Sequence, residues 1–192
     1  MIGKKYDDPI KLGSDKPVLW KYRYYEHYFH SHNQQELVNN ISKEYLKGIL
    51  WVLKYYFVNC TSWSWKYPYS HGPFISDVSK YVANNDVDFE KIEITDDGCL
   101  LPCQQLLSVL PPACSNILPK TYQTLVLSDS SPIIDFFPEE IVIDRINKYK
   151  DFKCTPLIPQ VESKRILKAT KNLKLTKGEE NRNNMIGEIS NK

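Results

Sequence analysis

The chain has little glycine, no long apolar run and no paired zinc-type cysteines, and each shortage excludes a class of protein. With only 7 glycines among 192 residues, it contains no glycine-rich phosphate loop and no nucleophile elbow. No apolar run is long enough for a membrane helix, and the N-terminus lacks the apolar core of a signal peptide. The 5 cysteines are not spaced as zinc ligands or as a disulfide framework. We therefore expect reduced thiols in an intracellular protein.

Charge and acid placement give no sign of catalysis within this chain. The net charge is +2, which gives no strong positive electrostatic field over the whole domain. Any contact with nucleic acid must therefore depend on local groups. Paired acids, such as Asp86 with Asp88 and Asp96 with Asp97, fall in polar turns that we expect to be solvated. His27, His30 and His32 cluster, but Glu26 is the one acid beside them, which favours a solvated helix end over a metal site. We expect no catalytic residue and no metal ligand in this chain.

Aromatic residues and proline are abundant: 13 Tyr, 4 Trp, 7 Phe and 12 Pro. Apolar residues recur at helical spacing, so we predict a mainly α fold, an irregular helical domain with long proline-rich connectors and few or no strands. We expect a flexible arm over residues 1–15, a helical domain over 16–174 and a loose polar tail over 175–192. Helices are predicted over residues 17–29, 42–58, 74–82, 100–110, 119–127 and 162–173.

The main helix is predicted to be buried, because Tyr45/Leu46, Ile49/Leu50, Leu53 and Tyr56/Phe57 recur at three- and four-residue steps. Ser42 is its candidate N-cap, and the polar residues 33–40 would lead into it. Further along, residues 131–138 form an apolar strip bounded by prolines, suited to lying extended across a partner surface. Residues 144–153 are predicted to form a charged turn.

The segment after the main helix, residues 60–74, is an aromatic loop. Pro68, Gly72 and Pro73 prevent a helix there, and the loop contains five large rings: Trp63, Trp65, Tyr67, Tyr69 and Phe74. The rings can complete a small helical core, or they can form a platform for nucleobases beside Lys66 and His71. Composition favours the core interpretation, and the residues alone leave both open.

Several long motifs in this chain carry a resemblance. The helix Tyr45–Tyr56, the run Ser62–Tyr69 (Ser-Trp-Ser-Trp-Lys-Tyr-Pro-Tyr) and Pro73–Asp77 resemble the helical second conserved region of Xrn-type 5′→3′ exoribonucleases. Trp20–Tyr25 and Gln104–Pro111 match in the same order, as do Ser131–Pro138 and Lys164–Leu167. The likeness covers roughly residues 17 to 187, and motifs of this length are specific.

The resemblance implies that RNA hydrolysis is carried out by a region outside this chain. In that family the metal-binding acids belong to a preceding catalytic region, which is absent here, so Mg²⁺ is expected only in that region, on the same or a companion chain. The helical region forms one wall of a pocket for a single-stranded RNA 5′ end bearing a monophosphate. Cytoplasmic and nuclear members share these motifs. Whether this chain is itself an enzyme stays open.

A tryptophan of the aromatic loop stacks on bases near the 5′ end in that family, and Trp63 and Trp65 are the matching positions. Lys66, Tyr67, Tyr69 and His71 are the further candidate RNA contacts. The histidine here is displaced by one position relative to the family pattern, which puts its role in doubt. The alternative is a stand-alone RNA-binding or protein-interaction module that has lost the nuclease region.

Overall fold

The structure is a computed structural model that describes residues 8–31, 33–148 and 150–184. It confirms the mainly α fold. The described helices are α1 Pro17–Phe29, α2 Gln34–Phe57, α3 Ile75–Asn85, α4 Pro102–Val109, α5 Lys120–Leu127, α6 Ser163–Thr170 and α7 Lys177–Asn183. Short 3₁₀ turns occur at Phe89–Lys91, Pro112–Ile117, Ile134–Phe136 and Asp151–Lys153. Residues 1–7 of the predicted arm and 185–192 of the predicted tail lie outside the described residues, and the division at residues 16 and 174 stays a prediction.

Two short strands, β1 Val142–Asp144 and β2 Thr155–Leu157, pair in a two-stranded sheet. The sequence indicated only a charged turn over residues 144–153, and the strands that flank it were missed. Each strand is 3 residues long, which is too short for an alternating pattern to be recognised.

Helix α1 has the predicted bounds, because its first helical position is Pro17 and its cap His30 adopts a left-handed backbone with φ of 48°. Proline is tolerated at the first helical position, where no backbone donor is required, and a left-handed residue ends a helix.

The predicted start of α2 was wrong. The helix begins at Gln34, and its N-cap is Asn33, whose side chain accepts a hydrogen bond from the backbone N–H of Glu36 at 3.2 Å. Ser42, the predicted cap, is buried inside the helix. Residues 33–40 therefore contain the cap and the first turns of α2 instead of a polar connector.

The predicted burial of α2 was also wrong for its second half. Only Ile41, Ser42 and Leu46 of this helix are buried. Five apolar side chains at three- and four-residue steps form an exposed strip, named here the apolar face of α2: Ile49, Val52, Leu53, Tyr56 and Phe57. Exposure rises along this face to 82% at Phe57. The helical period was read correctly, but a period shows which residues share a face and not what covers that face.

The chain divides into two compact units. The first comprises the described residues of Met1–Asp97 and Ile143–Thr155, and in it α2 packs against α1 and α3. The aromatic loop belongs entirely to this unit.

The second unit comprises the described residues of Gly98–Val142 and Pro156–Lys192. Its core contains Cys103, Leu107, Leu118, Tyr122, Leu125, Val126, Ile133, Phe136 and Ile166. The strip 131–138 was predicted to cover a partner, yet Ile133 and Phe136 are buried within this core. Helix α7, which the sequence did not predict within the tail, begins with a capping box between Thr176 and Glu179. Its Asn183 is buried and accepts a hydrogen bond from the backbone N–H of Cys103 at 2.8 Å.

Candidate functional site

The aromatic loop is fastened to α2 at its beginning. The indole Nε1 of Trp51 donates a hydrogen bond to the carbonyl of Ser62 at 3.0 Å. The side chain of Ser62 is buried, and its Oγ accepts a hydrogen bond from the backbone N–H of Trp65 at 2.9 Å. Since these bonds fix the loop on both sides of residue 63, the backbone from which Trp63 projects is well defined.

The two predicted stacking residues occupy different environments. Trp63 is 62% exposed, and its indole makes no contact with another aromatic ring within the described residues. Trp65 is half-buried. It lies over α2, where a Cβ placed on Gly48 would be 3.1 Å from its Cη2 atom. The ring of Trp65 also lies 6.3 Å from that of Trp51.

Trp65 forms part of an open apolar groove between α2 and the aromatic loop, with a volume of about 620 Å³. The groove is lined on one side by residues of α2 that include Tyr45 and Ile49, and on the other by Trp65, Lys66 and Tyr67. Lys66, the predicted cationic contact of the loop, is exposed at the edge of this groove.

The tyrosines of the loop are directed into the protein. The hydroxyl of Tyr67 donates a hydrogen bond to the carbonyl of His71 at 3.0 Å. The ring of Tyr69 packs edge-to-face against Tyr67 and Phe29, at centroid distances of 5.6 and 5.9 Å. Burial raises the pKa of both phenols, so each stays protonated and keeps its hydroxyl as a donor at neutral pH.

His71 is directed inward as well. Its ring stacks on Tyr28 with the centroids 3.7 Å apart, and its Nδ1 lies 3.0 Å from Ser70 Oγ. Its Nε2 lies 3.6 Å from Asp144 Oδ2, which is too long for a hydrogen bond, and it has no hydrogen-bond partner among the described residues. Burial lowers the pKa of His71 and outweighs the opposite influence of Asp144. The imidazole is therefore kept in its neutral form.

Asp144 connects distant parts of the first unit, and sequence reasoning missed it. Its Oδ2 accepts hydrogen bonds from Tyr28 Oη at 3.0 Å and from Lys148 Nζ at 2.7 Å. Burial by itself raises the pKa of Asp144, but hydrogen bonds from Lys148, from the Ile146 N–H and from Tyr28 lower it below the ordinary value. Because Tyr28 and Asp144 are 116 residues apart, no local pattern could have joined them.

The far end of the loop is held by α1. Tyr24 Oη donates a hydrogen bond to the carbonyl of Gly72 at 2.7 Å, and burial raises the pKa of Tyr24 to about 12. Tyr25 Oη donates to Asp77 Oδ2 at 2.7 Å, and the Phe74 backbone N–H donates to Tyr25 Oη at 3.2 Å. Hydrogen bonds thus hold the aromatic loop at its beginning and at its end, and Trp63 projects from it into solvent.

The described residues do not fit a divalent metal site. Within them, no group of three or more His, Cys, Asp or Glu side chains is placed to hold an ion, whereas two-metal phosphoryl chemistry requires several converging carboxylates. No step through Mg²⁺ can therefore be assigned to these residues.

Among the described helices, none combines the length and the apolar character needed to cross a bilayer.

The chain matches the family model described as the Xrn1 helical domain over residues 2–189. It is 40% identical over 167 residues to 5′-3′ exoribonuclease 2 of Schizosaccharomyces pombe, covering 85% of this chain and 16% of that protein. It is 34% identical over 179 residues to 5′-3′ exoribonuclease 1 of Saccharomyces cerevisiae, and this match covers 86% of this chain and 11% of that protein. It is 35% identical over 173 residues to 5′-3′ exoribonuclease 2 of Gallus gallus, and this match covers 88% of this chain and 18% of that protein. The chain thus spans between 11% and 18% of the length of these three relatives.

Proposed function

Because the chain belongs to the Xrn1 helical-domain family, we propose that it acts as the helical region of a 5′→3′ exoribonuclease, in the cytoplasm or the nucleus. In this role it forms a wall of the pocket for single-stranded RNA with a 5′ monophosphate, and it supplies a side chain that stacks on a base near the 5′ end.

The exposure of Trp63 is the observation that carries the proposal. Trp63 is a large ring with 62% of its surface exposed, on a loop whose neighbouring backbone groups are hydrogen-bonded on both sides. An exposed aromatic ring on a rigid support suits base stacking, which contributes about 1–3 kcal/mol per base. The geometry favours Trp63 over Trp65, because the ring of Trp65 already packs over Gly48 and beside Trp51.

The other candidate RNA contacts have unequal support. Lys66 is exposed within the aromatic loop, close in sequence to Trp63, so it suits a contact with a phosphate. Tyr67, Tyr69 and His71 make contacts within the first unit. In this proposal they shape the loop and help to form the pocket wall from within.

The hydrolytic chemistry is proposed to belong to a catalytic region outside the described residues, which would bind Mg²⁺. The relatives are much longer than this chain, and the aligned segment accounts for only 11% to 18% of their length. The apolar face of α2 is a suitable surface for that region, since extended exposed apolar patches mark interaction sites. This chain would then complete the RNA pocket without supplying an acid, a base or a metal ligand.

Binding of a 5′-monophosphorylated single-stranded oligoribonucleotide tests the stacking role. We expect Trp63→Ala to weaken binding by about tenfold, as the loss of one stacked base implies, and Trp63→Phe to retain part of the affinity. Trp65→Ala is the matched control within the same loop, and it should lower stability more than RNA affinity. Equal affinities for the wild type and Trp63→Ala would contradict the proposal.

Degradation assays test the wider role. We expect no degradation of the same RNA by this chain alone, and degradation when the remainder of the Schizosaccharomyces pombe relative is supplied as a separate chain. RNA binding with persistent inactivity in that mixture would instead support the stand-alone binding module. If neither binding nor activity were observed, both roles would be excluded.

A further inference from the structure

Asp96 was expected to be a solvated acid in a polar turn. It is exposed, and its carboxylate is in addition hydrogen-bonded to the aromatic loop. Its Oδ1 accepts hydrogen bonds from the backbone N–H groups of Trp63 and Ser64, at 2.9 and 3.2 Å. The hydroxyls of Ser64 and Ser62 lie 3.0 and 3.1 Å from the same oxygen. Four polar groups of three consecutive residues thus converge on one carboxylate oxygen, an arrangement named here the Asp96 clip.

Neighbouring backbone groups extend the clip. The Asp97 N–H donates a hydrogen bond to Ser64 Oγ at 2.7 Å, which leaves the hydroxyl hydrogen of Ser64 available for Asp96. Ser62 Oγ also lies 3.0 Å from the carbonyl of Thr95. Because Ser62 is buried and buried polar groups are costly to leave unpaired, the connector at residues 95–97 and the loop at residues 62–65 hold each other in place.

The clip holds the backbone from which the indole of Trp63 projects. Successive N–H groups that point to one anion form a concave anion site in the backbone, and here the site formed by residues 63 and 64 is filled by Asp96. With the N–H groups of residues 63, 64 and 65 all bonded, the side chains of Trp63 and Trp65 are directed into different surroundings, one to solvent and the other to Gly48. A side chain that projects from a fixed backbone loses less conformational freedom when it binds a ligand.

The geometry points to Asp96 as a positioning residue for RNA binding: it holds the backbone of Trp63 so that the indole is presented to a nucleobase. The inference rests on the proposed stacking role of Trp63. Asp96 touches no RNA in this scheme, and its whole effect on affinity passes through Trp63. The carboxylate and the indole are therefore expected to be coupled in binding.

The first experiment needs no RNA. Amide hydrogen exchange is measured for Trp63 and Ser64 in the wild-type chain, Asp96→Ala and Asp96→Asn. The control is Glu93→Ala, which removes an exposed acid shortly before Asp96 in the sequence. We expect Asp96→Ala to accelerate exchange of the Trp63 amide by roughly tenfold, as the loss of a hydrogen bond implies. The Ser64 N–H also lies 3.3 Å from Ser62 Oγ, so its exchange should accelerate less. Asp96→Asn retains an oxygen acceptor and should be intermediate, and Glu93→Ala should match the wild type. Unchanged exchange in Asp96→Ala would overturn the inference. If Asp96→Ala fails to fold, Asp96→Asn carries the comparison.

The second experiment is a double-mutant cycle with the 5′-monophosphorylated oligoribonucleotide. We expect Asp96→Ala to weaken binding by about threefold to tenfold in the wild-type chain, and not to weaken it further in Trp63→Ala. Equal losses in both backgrounds would show that Asp96 does not act through Trp63 and would overturn the inference. If Trp63→Ala binds as well as the wild type, the stacking role falls and the positioning role with it. If Trp63→Ala weakens binding and Asp96→Ala does not, only the positioning role is lost.

Discussion

Gly48 lies where α2 passes beneath the indole of Trp65, and a Cβ at this position would be 3.1 Å from the Cη2 atom of that ring. Glycine inside a helix costs about 1 kcal/mol relative to alanine. The approach of a large ring explains why a helix with strong aromatic and aliphatic content retains glycine at this position. It also connects the helix to the geometry of the loop.

We predict that Gly48→Ala will not stabilise the chain. The gain of about 1 kcal/mol from helix propensity is opposed by the displacement of Trp65, which must shift to accept the new methyl group. The control is Gly178→Ala in α7, where the nearest atom to a Cβ is 3.8 Å away. Urea denaturation followed by circular dichroism compares the two free energies of unfolding. A gain at Gly48 equal to or larger than that at Gly178 would show that Trp65 does not restrict this position.

His71 gives a second prediction at the scale of a single residue, because burial lowers its pKa below 6.5. Between the folded and unfolded pKa values the unfolded chain binds more protons, so the free energy of unfolding decreases as the pH falls through about 6.5. The groups that face the ring are Tyr28, Asp144, Lys148 and His27. Of these, the Asp144 carboxylate opposes the shift, while Lys148 and His27 reinforce it.

The test compares the wild type with His71→Gln in urea denaturation at about pH 8 and about pH 5.5. We expect the wild type to lose more stability over this interval than the variant does. Identical losses would mean that His71 takes up its proton equally well in both states. A larger loss in His71→Gln would mean that the interaction with Asp144 dominates over burial.

At the scale of the elements, the sequence predicted helices well where the chain carries strong boundary signals. Pro17 marks the start of α1, and Pro111 follows the end of α4, so both helices lie close to their predicted bounds. The start of α2 was missed because residues 33–40 are polar and were expected to lead into the helix, although the exposed side of a helix accepts polar residues. The short strands carry no recognisable local pattern. Helix α7 does carry a local signal, the capping box between Thr176 and Glu179, which the prediction of a loose polar tail did not use.

The candidate site was only partly predictable for the same reason. The aromatic loop was recognised from its ring content and its prolines, and the stacking role of Trp63 or Trp65 stays a prediction. The loop backbone at Trp63 contacts Asp96 and the ring of Trp65 lies against Gly48, and both partners belong to other parts of the chain. The contacts of His71 with Tyr28 and Asp144 likewise join residues distant in sequence. Such partners follow from tertiary structure alone.

The N-cap of α2 yields a prediction for that element. The Asn33 side chain accepts a hydrogen bond from the Glu36 N–H at 3.2 Å and donates one to Glu36 Oε2 at 3.0 Å. Replacing a good N-cap with alanine costs about 1 kcal/mol, so Asn33→Ala should lower the free energy of unfolding by this amount, and Asn33→Asp should restore most of it. Asn40→Ala, an exposed position inside the same helix, is the control and should cause no loss. Equal effects at residues 33 and 40 would argue against the cap.

At the scale of the whole molecule, the chain buries a core in its second unit but leaves the apolar face of α2 exposed. A patch of this kind is unusual for an isolated domain and typical of an interaction surface. The relatives provide a reason, because the aligned segment is a small part of each of them. Removal of this apolar surface from water would favour association with a further part of the assembly.

The last prediction concerns this face in the isolated chain, which we expect to self-associate at high concentration. Phe57 is 82% exposed, so Phe57→Lys should leave the free energy of unfolding within about 0.5 kcal/mol of the wild type, while a charge in the patch should oppose association. Val18→Lys is the matched control, since Val18 is 76% exposed but lies on α1, outside this face. Light scattering over a range of protein concentrations measures the association. Phe57→Lys should reduce it and Val18→Lys should not.

The same Phe57→Lys variant should also lose activity when it is mixed with the remainder of the Schizosaccharomyces pombe relative. Retention of full activity there would mean that the catalytic region docks on another surface.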